Sequence, residues 1–131
     1  MARIPEAYRD LFSKDNPLMM YLATIMPDGT PQVTPVWFDH DGTYILINTA
    51  RGRVKDRNMA ARPYVACLVM DPKNDGRFVQ IRGPVVEATE EGAEEHGRML
   101  AQRYTGSPER DYRFETRVIF RIRPDHITAM G

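Results

Sequence analysis

Two Asp-Gly pairs, Asp28-Gly29 and Asp41-Gly42, cut the first part of this chain into apolar runs too short for long helices. Residues 18–26, 31–38 and 44–48 are each bounded by such a pair, and tight Asp-Gly turns join antiparallel neighbours. Three consecutive strands in a meander are the expectation. Further along, residues 64–70, 78–88 and 117–123 also read as strands, the first two separated by a polar loop over 71–76. The last is the plainest, because Val118, Phe120 and Ile122 alternate with Arg117, Arg121 and Arg123. A short strand over 127–130 is expected to end the sequence.

Helices are few. Ile4, Tyr8, Leu11 and Phe12 fall at helical spacing and predict a helix over 4–12, with Pro5 tolerated in its first turn. A second helix is predicted over 53–62, stopped by Pro63. A third starts at Thr89, with Glu90 and Glu91 where the helix dipole favours acids, and runs to Tyr104. Gly92 and Gly97 weaken it by about 1 kcal/mol each relative to alanine, so it depends on packing. Hairpin-linked strands with short helices predict a mainly β (α+β) fold. The expected form is a small antiparallel barrel of at least six strands, one domain over 1–131.

The composition, 42% hydrophobic and 27% charged over 131 residues, fits a globular chain. Lys plus Arg and Asp plus Glu number 18 each, so no global field recruits nucleic acid or acidic lipid. Any preference for anions must be local. The N-terminus lacks the apolar core of a secretion signal, and no apolar run reaches the roughly 20 residues a membrane helix needs. A cytoplasmic protein is expected. Cys67, the lone cysteine, lies in an apolar run and reads as a buried, inert thiol.

That local preference has one candidate. Arg51, Arg53, Lys55 and Arg57 occupy alternate positions directly after the strand that ends in Asn48-Thr49. Cations in a first helical turn oppose the dipole at about 0.3 to 1 kcal/mol each, and a bound phosphate reverses that sign. Either the run is a solvated basic face, diluted by Asp56, or it seats a phosphorylated ligand.

Self-sufficient catalytic machinery is missing. His40, His96 and His126 fall in a turn, a helix and the tail, without metal-ligand spacing, and no Gly-x-Ser-x-Gly elbow occurs. Neither the dinucleotide fingerprint nor the P-loop pattern is present. No catalytic residue and no metal ligand is assigned. If the protein is an enzyme, a bound cofactor carries the chemistry.

A meander, a strand ending in Asn48-Thr49, a basic helix start with Lys55, then Asn58 and Arg62-Pro63 before an apolar strand follow one another here. This order resembles the pyridoxamine 5'-phosphate oxidase-like, FMN-binding split-barrel family, and within it the branch that uses the deazaflavin coenzyme F420. The likeness covers residues 18–123, with its specificity in Thr34-Pro-Val-Trp-Phe38 and in residues 48–58.

The resemblance implies a six-stranded antiparallel split β-barrel with meander or Greek-key connections. It implies that Arg53 and Lys55 hold the cofactor phosphate, with Thr49 placed to bond a phosphate or ribityl oxygen and Val54 also at the cofactor. Val33, Thr34, Pro35 and Val36, and the backbone of Ile47 and Asn48, would face the ring. A homodimer with cofactor between subunits is implied too, in which Met70 and Phe78 reach the partner's cofactor. Trp37 would cap the ring, and Arg51 and Arg57 would meet the acidic tail of F420. The activity implied is hydride transfer from reduced F420 to a small electron-poor acceptor. An FMN-dependent reductase or oxidase, and a non-catalytic flavin or haem carrier, are the alternatives. Flavin-using oxidases of the family have Arg-Gln-Val where this chain has Arg77-Phe78-Val79, which argues against pyridoxamine phosphate oxidation itself.

Overall fold

The structure, a computed structural model, describes residues 2–131. Its antiparallel sheet has eight strands: β1 (Met20–Ile25), β2 (Pro31–Val36), β3 (Asp39–His40), β4 (Ile45–Ala50), β5 (Tyr64–Asp71), β6 (Asn74–Thr89), β7 (Arg117–Ile122) and β8 (His126–Met130). They lie in the order β2-β1-β5-β6-β7-β4-β3, with β8 against β6. The expected six strands are therefore eight. One of the additions, β3, is only two residues long, too short to show alternation, and it follows the run over 31–38, whose strand ends at Val36.

The long strand β6 makes the barrel. Its first part pairs with β5 and β8, its last part with β7, and the register shifts between Val85 and Glu87 where it changes partner. Gly83 precedes this shift because a β-carbon there would lie 1.7 Å from the main-chain oxygen of Arg123. Only glycine lets the β7–β8 turn cross so closely. The polar segment expected as a loop over 71–76 is instead a tight hairpin, with Asp71 opposite Asn74.

Three helices flank the sheet. Glu6–Phe12 is a single 3₁₀ segment that buries Leu11 and Phe12, in place of the α-helix expected over 4–12. Helix α1 spans Val54–Ala61, as its basic start and Pro63 predict. Helix α2 spans Ala93–Thr105, later than the Thr89 start expected, because Thr89 is held in the ladder opposite Ile119. Gly92 and Gly106 bracket α2 with positive φ values of 75° and 81°. The core lies inside the barrel around Met20, Leu22, Ile47, Val79, Phe120 and Ile122. Among the described residues no helix is long and apolar enough to cross a membrane.

Candidate functional site

Where α1 begins, against the inner end of β4 and the face of α2, a pocket of about 220 Å³ opens. The alternating cations next to it do not act together; the fold separates them. Arg51 is a structural clasp: its Nη1 bonds Asp56 Oδ1 at 3.0 Å and its Nε bonds Glu90 Oε2 at 2.9 Å. Both bonds favour the guanidinium, that to Glu90 the more, so its pKa lies above the ordinary arginine value. Asp56 also takes the Gly52 N–H at 2.7 Å, closing the turn whose glycine has φ +91°. An acidic cofactor tail would have to displace Glu90 to reach Arg51. Arg57 is exposed and makes no ion pair among the described residues.

Arg53 and Lys55 turn into the pocket. Lys55 is half-buried and has no hydrogen bond or ion pair among the described residues. Burial pushes its pKa below the ordinary lysine value, and the neighbouring Arg53 and Arg117 push in the same direction. Two of these three cations share one carboxylate, Glu115, which bonds Arg53 at 3.2 Å and Arg117 at 2.9 Å, while Lys55 has no carboxylate partner among the described residues. The N-cap residue of α1, Arg53, gives no side-chain bond to the helix, so the first-turn N–H groups stay free for solvent or a ligand. Cations and free amides around a cavity make an anion seat.

Of the residues expected from sequence, Pro35, Val36, Asn48, Thr49, Arg53 and Lys55 line this pocket. Val33, Thr34, Ile47, Val54, Met70 and Phe78 do not. Val33 is 65% exposed on the outer face of β2, whereas Ile47 is fully buried in the core. Met70 and Phe78 face each other across β5 and β6. Trp37 lines the pocket but its ring is already engaged. Tyr104 stacks on it at 5.2 Å and the Arg110 guanidinium lies 4.9 Å from its ring centre.

The rest of the wall comes from residues that sequence reasoning missed: Met19, Gly97, Leu100, Tyr112 and Arg117. Gly97 is the one with a sequence signal. A glycine inside a helix is costly, and here it makes room for Tyr112, whose hydroxyl would sit 2.8 Å from a β-carbon at that position. Tyr112 is in turn pinned under Arg117, whose guanidinium lies 4.7 Å from the ring centre.

Behind the wall runs a buried polar network. Asp39, 6% exposed, accepts from His96 Nε2 at 3.0 Å and from Arg103 Nη1 at 2.8 Å. Burial alone would raise the Asp39 pKa, but the bonds from His96 and Arg103 outweigh it and hold the carboxyl well below the usual range. Among the described residues no cysteine or serine lines the pocket. Cys67 lies elsewhere in the core, where burial pushes its thiol up to about 12.

Comparisons with known proteins bear on the family and the fold. A solved F420 reductase is 37% identical, with a TM-score of 0.84, over 95% of this chain and 98% of that one. A conserved hypothetical protein of Mycobacterium tuberculosis is 27% identical, with a TM-score of 0.77, over 98% of this chain and 85% of that one. The haem storage protein HutZ of Vibrio cholerae shares the fold at a TM-score of 0.70 and 14% identity, over 99% of this chain and 96% of that one. A comparison with curated proteins gave no match. The family profile described as pyridoxamine 5'-phosphate oxidase matches residues 4–131. With that match spanning nearly the whole chain and the barrel built as described, this protein belongs to the pyridoxamine 5'-phosphate oxidase-like split-barrel family.

Proposed function

We infer that the pocket binds the phosphate-bearing part of coenzyme F420 and that the protein is an F420-dependent reductase acting on a small electron-poor acceptor. One observation carries the reading: Lys55 is half-buried in the pocket without a partner, beside two arginines that already disfavour its charge. A fold optimised for stability alone would neutralise that cluster, whereas a phosphate group does so on binding. The 37% identity to an F420 reductase over nearly all of both chains supports the deazaflavin over FMN. Reduced F420, when bound, supplies the hydride. The chain's own part is to bind the anion through Arg53 and Lys55, to place Thr49 beside it, and to exclude water with Leu100 and Tyr112.

A second subunit completes the site in this reading. Tyr21, Val33 and Pro35 fall on one exposed face of β1 and β2, since Tyr21 pairs with Pro35 and Ala23 with Val33, and the exposed Met19 directly precedes β1. Pro35 belongs to that face and, with Met19, to the pocket wall. An exposed apolar face continuous with a ligand pocket suits a homodimer with cofactor between its subunits.

Titration of the purified protein with F420 and, separately, with FMN tests the assignment. Micromolar or tighter F420 binding, followed by acceptor-dependent oxidation of reduced F420, is expected. FMN binding in that range without F420 binding would overturn it.

A further inference from the structure

We propose that Arg117 is a third cation of the anion seat and that Asn48 is the positioning residue that aims it. This deepens the reading above, because the anion in question is that of the proposed cofactor.

Arg117 has three of its donors engaged and is held by two residues. Its Nε and Nη2 both donate to Asn48 Oδ1, at 3.0 and 2.7 Å, and its Nη1 donates to Glu115 Oε2 at 2.9 Å. A guanidinium has five N–H donors, so roughly two remain free, one on each terminal nitrogen. The side chain is 12% exposed and lines the pocket with Arg53 and Lys55. A planar fork with spare donors beside a cavity is suited to an anion's oxygens.

Asn48 is spent to capacity. While its Oδ1 takes both arginine donors, its Nδ2 donates to the Ala93 main-chain oxygen at 2.8 Å and contacts His96 Nδ1 at 3.0 Å. A flipped amide would set its NH₂ against the arginine donors and its oxygen against the Ala93 carbonyl, so these partners fix its orientation. His96 then accepts at Nδ1 and donates from Nε2 to Asp39, which Arg103 and Lys14 hold at 2.8 and 3.6 Å. A relay of side chains from β3 and α2 thus runs through Asn48 on β4 and ends on one guanidinium on β7.

The experiment is a double-mutant cycle on the full chain, using Arg117→Ala, Asn48→Ala and the double variant. Affinity for inorganic phosphate and for F420 is measured by calorimetry at low salt. Arg117→Ala is expected to weaken phosphate binding about tenfold, the loss of a charge-assisted contact. Asn48→Ala should weaken it severalfold in the wild-type background and not at all in the Arg117→Ala background, because its effect passes through the guanidinium. Arg117→Lys guards against loss of fold: it keeps the charge without the fork and should bind phosphate more weakly than wild type. Wild-type affinity in Arg117→Ala or Arg117→Lys would overturn the proposal. So would an Asn48→Ala loss that is equal in both backgrounds, the signature of a structural staple. Arg117-dependent phosphate binding without F420 binding supports this inference while refuting the cofactor assignment. F420 binding that ignores Arg117 does the reverse.

Discussion

Replacing Asn58 with alanine tests whether polar pins hold the helix that carries Lys55. Helix α1 buries Asp56, Asn58 and Met59, so only one of its three buried side chains is apolar. Eight residues cannot sustain a helix alone in water, so tertiary contacts must fix it. Asn58 is 2% exposed. Its Nδ2 donates to Thr24 Oγ1 at 3.0 Å, and its Oδ1 accepts from Arg62 Nη2 at 3.1 Å. Arg62 in turn donates from Nε to the Ile25 main-chain oxygen at 2.7 Å, so the pin joins the end of α1 to β1.

Alanine removes a neutral hydrogen bond worth about 1 kcal/mol and one from a charged donor worth about 1.5 to 3 kcal/mol. Against this, alanine is the better helix former by roughly 0.7 kcal/mol. A net loss of about 2 to 3 kcal/mol follows, which lowers Tm by roughly 6 to 15 °C for a chain of this size. Asn58→Asp keeps an acceptor for Arg62 and offers one to the Thr24 hydroxyl, so it should lose less than half as much. Circular dichroism melts and urea midpoints of the two variants read the difference, and phosphate titration of the alanine variant reads the loosening of Lys55. An alanine variant that melts within about 3 °C of wild type would refute the idea that polar pins seat this helix.

Gly83→Ala drives a β-carbon into the Arg123 carbonyl at 1.7 Å and forces the β7–β8 turn away. The Arg123 N–H to Pro84 and Asp125 N–H to Arg123 bonds, each 3.0 Å, go with it. Overpacking against backbone plus two lost hydrogen bonds costs about 3 to 5 kcal/mol, so the variant should unfold at far lower urea than wild type; an unchanged midpoint would contradict the close crossing. Because the Lys55 pKa is lowered first by burial and then by Arg53 and Arg117, its ammonium loses its proton before an ordinary lysine does. Phosphate affinity should therefore fall as pH rises, along a limb that starts below 10.5, and Lys55→Arg should remove that limb. The same limb in the arginine variant would place the titrating group elsewhere.

Those parts of the fold that local chemistry dictates could be read from the sequence. β1, β2 and β4 follow from the Asp-Gly turns, and β7 from strict alternation. β6 could be read over 78–88 but not at its start, because residues 74–76 carry loop chemistry, and nothing local shows that Gly83 and Pro84 mark the change of partner from β5 to β7. The start of α2 misled for a related reason. Thr89-Glu90-Glu91 carries cap chemistry, yet the Thr89 backbone is already paired with Ile119, and Glu90 is drawn to Arg51 instead. In the site, Arg53 and Lys55 show themselves as a local charge pattern. Arg117 and Tyr112 do not, because their roles arise from contacts with Asn48 and Gly97 that lie far away in sequence.

How the fold distributes its acids leaves Lys55 without a carboxylate of its own among the described residues. Asp56 is the acid a helix start favours, but both its oxygens are taken by Arg51 and by the Gly52 amide. Glu115 is divided between Arg53 and Arg117. Asp39 and Glu90, the other nearby carboxylates, are held by His96 with Arg103 and by Arg51. Lys55 is left with like charges and the positive end of α1, an arrangement that raises the free energy of the empty protein. Elsewhere in the same chain cations such as Arg77 and Arg123 sit against carboxylates at 2.6 and 2.7 Å, so composition did not force the imbalance. An uncompensated charge that coincides with a cavity lined by three cations suits the proposed anion site, because binding then removes a repulsion as well as adding a contact.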